Sequence, residues 1–155
     1  MPKPTQAHSL RTSLLWPSLS LMLGSTPAVG SAQTARPLSV TAHDYAFTAP
    51  DTMKAGPTVF SLQNSGTVRH ELVIFWLKEG RTLADYIKAE TVEERRALQA
   101  GVVGLIVAAP GESAPGRILA DLPKGRDYIL ICTLRDSPEK PPHARLGMVA
   151  RLHVN

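Results

Sequence analysis

Residues 128–154 read YILICTLRDSPEKPPHARLGMVARLHV, and this stretch decides the architecture. Tyr128-Ile129-Leu130-Ile131-Cys132 is strongly β-prone, rich in aromatic and branched apolar residues. A polar loop follows over 133–142, stiffened by Pro138, Pro141 and Pro142. Residues 147–154 then close the chain as a final strand. Cys132 ends one strand, His143 sits at the far side of the loop and Met148 begins the next strand. The end of a hairpin can therefore present all three side chains to one point.

Upstream the pattern is of the same kind. Residues 38–42 and 45–48 are short and β-prone, with turns at 49–51 and 55–57. Thr58-Val59-Phe60-Ser61-Leu62-Gln63 alternates polar and apolar, as a half-buried strand does. Asn64-Ser65-Gly66 makes a turn, and 70–77 is a nearly continuous apolar run suited to burial on both faces. Strands resume at 104–109 and 116–122, punctuated by Pro110-Gly111 and Pro123-Lys124-Gly125. The segment 82–100 breaks the β pattern. Thr82 with Asp85, and Thr91 with Glu94, each place a hydroxyl three residues before a carboxylate, the signature of a helix N-terminus. Seven or eight short strands with regularly spaced turns predict an all-β antiparallel sandwich with a short helical insert around 82–100.

The bulk numbers agree and exclude several classes. The chain has 155 residues, enough for one domain. A net charge of +4, without a basic cluster, gives no footprint for nucleic acid. A single cysteine rules out an internal disulfide, a four-cysteine iron–sulfur cluster and a cysteine-rich zinc module. The first residues look like a secretory signal: Lys3 and Arg11, then a short apolar stretch through Leu14, Leu15, Trp16, Leu19, Leu21, Met22 and Leu23, then Gly30-Ser31-Ala32. That stretch is too short and interrupted to span a bilayer. The expectation is a signal peptide over 1–32 and one domain over 33–155, placed in the periplasm or secreted. An unpaired thiol in an oxidising compartment is liable to oxidation, so Cys132 there needs deep burial, a catalytic task or a metal.

Four side chains have the chemistry of metal ligands: His70, Cys132, His143 and Met148. Imidazole, thiolate, imidazole and thioether suit copper. The sulfurs hold Cu(I), the imidazoles accept both oxidation states, and a distant Met is a weak axial donor. Zinc has little use for the thioether. Other chemistries lack their parts. His70-Glu71 is no zinc-protease signature, because Ile74 stands where the second His belongs. No glycine-rich phosphate loop follows a strand. A Cys132–His143 nucleophile pair has no third orienting group, so the expectation is a protein that is not an enzyme.

The order His…Cys…His…Met, with Pro142-His143-Ala144-Arg145-Leu146-Gly147-Met148 at its end, resembles the cupredoxin, or blue (type 1) copper, family. The Pro-His-x4-Met segment is similar to the plastocyanin loop, and Asn64-Ser65-Gly66-x3-His70-Glu71 to the first-histidine segment of sulfocyanin-like members. Gly125-x2-Tyr128-x3-Cys132 resembles the strand leading to the cysteine. The resemblance covers nearly all of 38–155. It implies a Greek-key β-sandwich holding one copper ion per chain on His70, Cys132 and His143, with Met148 axial. It implies single-electron transfer to a transient redox protein partner docking near His143; a single domain without a long apolar surface stripe suggests a monomer. Two departures stand out. Ten residues separate Cys132 from His143, a longer interval than in the family's small electron carriers. Glu71 stands where an Asn often ties the two ligand loops together. A copper storage or delivery protein, and a metal-free binding module on the same fold, are the alternatives.

Overall fold

The structure is a computed structural model and describes residues 34–155. The secretory signal expected over 1–32 lies outside the described residues. Strands β1 (Arg36–His43), β2 (Ala46–Thr48), β3 (Thr52–Met53), β4 (Gly56–Asn64) and β5 (His70–Leu77) precede helices α1 (Leu83–Lys88) and α2 (Val92–Leu98). Strands β6 (Gln99–Ala108), β7 (Ile118–Leu122) and β8 (Asp127–Ile131) follow. A single 3-10 turn (His143–Leu146) leads into β9 (Val149–Val154). One sheet has the order β2-β1-β4-β7 and the other β3-β9-β8-β5-β6.

The alternation in β4 turns Thr58, Phe60, Leu62 and Asn64 inward. Phe60, Leu62 and Val40 of the first sheet join Leu72, Ile74, Leu130 and Leu152 of the second in one core. Each such side chain contributes about 1.5–3 kcal/mol by leaving water. The run at 70–77 is apolar on both faces for a reason. Its inner residues fill the sandwich, while Phe75, with Ile129 and Ile131 of β8, faces outward beneath the helices. Tyr86 of α1 covers them, its ring 4.5 Å from that of Phe75. Both helices start on capping boxes built from Thr82 with Asp85 and Thr91 with Glu94.

Three expectations are corrected. The sandwich is not wholly antiparallel: β1 runs parallel to β4, and β3 parallel to β9. Thr52–Met53, between the expected turns at 49–51 and 55–57, forms a short strand and brings the count to nine rather than seven or eight. Residues 99 and 100, expected within the helical insert, belong to β6, which also takes in 101–103. Gly101 explains the last. It pairs across from Trp76, and a Cβ there would run into the benzo end of the indole, closer than any real contact allows. Helical periodicity does not show an absent side chain needed by a cross-strand neighbour. Gly101→Ala is expected to lower stability by about 1–3 kcal/mol, read as a reduced urea midpoint, because the indole must leave its seat.

Among the described residues no helix is long and apolar enough to cross a membrane.

Candidate metal centre

Antiparallel pairing brings the ends of three strands to one pole. Val73 of β5 pairs with Ile131 of β8, and Ile131 pairs with Val149 of β9. His70, which opens β5, Cys132, just past β8, and Met148, just before β9, therefore lie at the same end. The Cys132 N–H donates to the Met148 carbonyl at 3.2 Å. His70 is delivered by a turn that Asn64 organises. The buried Asn64 amide donates to the Val68 carbonyl at 2.8 Å and accepts the Gly66 N–H at 2.9 Å.

The long loop after Cys132 is closed at its neck. The His143 N–H donates to the Leu134 carbonyl at 2.8 Å, and the Ala144 N–H to the Cys132 carbonyl at 2.8 Å. The Met148 N–H then donates to the His143 carbonyl at 3.0 Å. Inside the loop, Lys140 Nζ reaches Asp136 Oδ2 at 3.3 Å, and the Arg135 guanidinium donates to the Lys140 carbonyl.

His70, Cys132 and His143 converge, their donor atoms all within 4.8 Å of one another, and none is more than 1% exposed. Met148 is fully buried in the core cluster that also holds Cys132. The two imidazoles are oriented in the same way. His143 Nε2 lies 2.9 Å from Asp136 Oδ1, and its Nδ1 lies 3.4 Å from Cys132 Sγ. His70 Nε2 lies 3.3 Å from Asp44 Oδ1. Its Nδ1 is buried without any hydrogen-bond partner. A carboxylate that accepts a hydrogen bond from Nε2–H fixes the tautomer and leaves a lone pair on Nδ1. A buried, unpartnered polar atom is costly unless something else satisfies it. The donor set and this orphan nitrogen together fit a soft or borderline metal ion.

Electrostatics supports the same protonation pattern. Burial pushes the His70 imidazole below its ordinary pKa, partly opposed by its bond to Asp44. Asp44 is lowered chiefly by the Thr67 hydroxyl and N–H. Asp136 is held down at about 2, first by the Tyr45 hydroxyl and next by His143. Burial pushes the Cys132 thiol up to about 11, while the N–H groups of Glu71 and Leu134 favour its thiolate. A cation at the convergence point reverses the effect of burial on the thiol.

The tie left open by Glu71 is also visible. Its carboxylate accepts from the Thr133 N–H at 2.8 Å and the Thr133 hydroxyl at 2.6 Å, while its own N–H points at Cys132 Sγ at 3.4 Å. Asp44, Asp136 and Tyr45 were not legible in the sequence. Tyr45 donates to Asp136 Oδ2 at 2.7 Å and stands edge-on to His143, ring centres 5.1 Å apart. His43 and His153 stay outside the cluster, the first bound to Ser65 and Thr48, the second to Asp127.

No protein-family model and no curated protein matches this sequence. Solved structures do. Reduced auracyanin from the photosynthetic bacterium Roseiflexus castenholzii matches at 18% identity and a TM-score of 0.50, over 79% of this chain and 99% of that one. Auracyanin B matches at 20% identity and a TM-score of 0.54, over 80% of this chain and 91% of that one. At such identities the likeness speaks for the fold: the described residues form a cupredoxin β-sandwich.

Proposed function

We propose that the protein is a periplasmic or secreted type 1 copper protein that carries single electrons between redox partners. His70 Nδ1, Cys132 Sγ and His143 Nδ1 would hold one copper ion, with Met148 as the weak axial donor. The observation that carries this reading is the paired orientation of the imidazoles. Each has its Nε2 on an aspartate; His143 Nδ1 then lies 3.4 Å from the buried thiol, and His70 Nδ1 is left buried without a partner beside the same cluster. Copper bound there would supply a one-electron couple, and the donors favour neither oxidation state strongly.

The chain's own residues do the rest. Asp44 and Asp136 hold the ring tautomers, and the bonds across the loop neck keep Cys132 and His143 in fixed separation. The sandwich behind them keeps the donors from relaxing when the charge changes. That restraint favours carriage over storage or delivery, which would draw on a loose ligand loop. The proposed role is transport of an electron rather than turnover of a substrate. Its partner would meet the pole of the sandwich near His143.

The test is a visible spectrum of the 33–155 chain after adding Cu(II). An intense band near one equivalent that bleaches and returns with reductant and oxidant is expected. Met148→Leu should keep the band and raise the midpoint potential, since a donor to Cu(II) is lost. A chain that takes up no copper in either redox state overturns the reading. Uptake of Cu(I) alone, with ready loss to a chelator, supports delivery instead.

A further inference from the structure

We infer that Tyr45 is the residue through which electrons enter and leave, an inference that rests on the copper reading above. The imidazole edge of His143 is the obvious exit from such a site, but His143 is only 1% exposed. No partner can touch its ring directly. What stands over it is Tyr45, half-buried, with ring centres 5.1 Å apart and ring planes at 73°. A second connection runs beside the first: the Tyr45 hydroxyl donates to Asp136 Oδ2 at 2.7 Å, and Asp136 Oδ1 bonds His143 Nε2 at 2.9 Å. One aromatic side chain thus reaches from the buried imidazole to the surface, both through ring contact and through hydrogen bonds.

The backbone indicates that this placement is enforced. Tyr45 has φ 64°, the only non-glycine residue with positive φ among the described residues. A bulky aromatic is disfavoured there, and such strain persists only where neighbours over-determine it. The neighbours are those of the site. Asp44 holds His70, Tyr45 holds Asp136 and His143, and the Tyr45 carbonyl lies 3.7 Å from where a Cβ on Gly147 would be. An asparagine or glycine would relax the backbone but would leave His143 without the ring.

The step is an electron exchange between a reduced and an oxidised copy of the protein. One copy is oxidised as the other is reduced, no bond forms or breaks, and no proton moves. Tyr45 keeps its own oxidation state and supplies only the path.

The experiment uses the full chain loaded with copper, with Tyr45→Phe and Tyr45→Asn beside it. Asn tolerates positive φ, so the ring is removed without adding strain. Self-exchange is measured by NMR line broadening in mixtures of reduced and oxidised protein, with the visible band and midpoint potential recorded for each variant. The expected result is a loss of tenfold or more for Tyr45→Asn with the band retained, and a change below threefold for Tyr45→Phe. In the metal-free protein, the His143 Nε2 proton should exchange with water at least tenfold faster in Tyr45→Asn than in wild type. An unchanged or faster self-exchange in Tyr45→Asn overturns the inference, because the ring would then be a cover and not a path. Equal proton exchange in both overturns it too. Failure of the wild-type chain to bind copper is a different outcome, and it strikes the functional reading itself.

Discussion

Cys132→Ala is expected to remove the intense visible band altogether, the largest single effect that this site allows. The band of a copper–thiolate site is a transfer of charge from sulfur to metal, so it needs the sulfur itself. The two imidazoles and their aspartates remain in the variant, and copper should still bind, more weakly, as an almost colourless nitrogen-ligated ion. Binding and colour therefore separate: calorimetry should still detect Cu(II), while the spectrum is nearly blank. The fold should survive. Cys132 is fully buried, but alanine removes only one heavy atom, a loss of about 1 kcal/mol. An undiminished band in the variant would mean that another donor makes it, and the site as described would be wrong.

How much of this was legible beforehand differs from part to part, for physical reasons. The strand ends carrying His70, Cys132 and Met148 could be read because each sits at the edge of a strong β pattern. Their order along the chain then implied convergence. The two helix starts could be read because a capping box is a contact between residues three apart. What could not be read depends on distant partners. Asp44 meets His70 across 26 positions, and Tyr45 meets Asp136 across 91. Neither pair has a spacing rule. Sequence placed Asp136 in a polar, proline-rich loop and Tyr45 at the start of a short strand, which describes thousands of unremarkable residues. The parallel pairing of β1 with β4 was also hidden, since strand direction is decided by the path of the chain between strands and not by composition. The closure of the long Cys132–His143 interval was hidden too, because the bonds that tighten it are backbone pairs at the neck.

Glu71 illustrates the point most sharply, and it carries the second large prediction. Family resemblance offered an Asn at this position as the tie between ligand loops, and a carboxylate seemed a departure. In the structure Glu71 makes a tie of its own, taking both the N–H and the hydroxyl of Thr133 on one oxygen, next to Cys132. It is 5% exposed. Glu71→Ala strips both donors of their acceptor, and is expected to cost about 2–3 kcal/mol and lower the melting temperature by about 10 °C. Glu71→Gln keeps a carbonyl oxygen for the same two donors, and should recover most of that loss. It also removes a negative charge that disfavours the Cys132 thiolate. A negative charge beside the thiolate favours Cu(II) over Cu(I), so its removal should raise the midpoint potential. A tenfold change in the relative affinity for the two ions corresponds to about 60 mV for one electron. The two variants separate geometry from charge. Melting of both proteins, and voltammetry of the copper-loaded Gln variant, decide the matter. Equal destabilisation by Ala and Gln would show that the hydrogen bonds to Thr133 are not what Glu71 contributes. A Gln variant as stable as wild type with an unmoved potential would show that its charge is not felt at the thiolate.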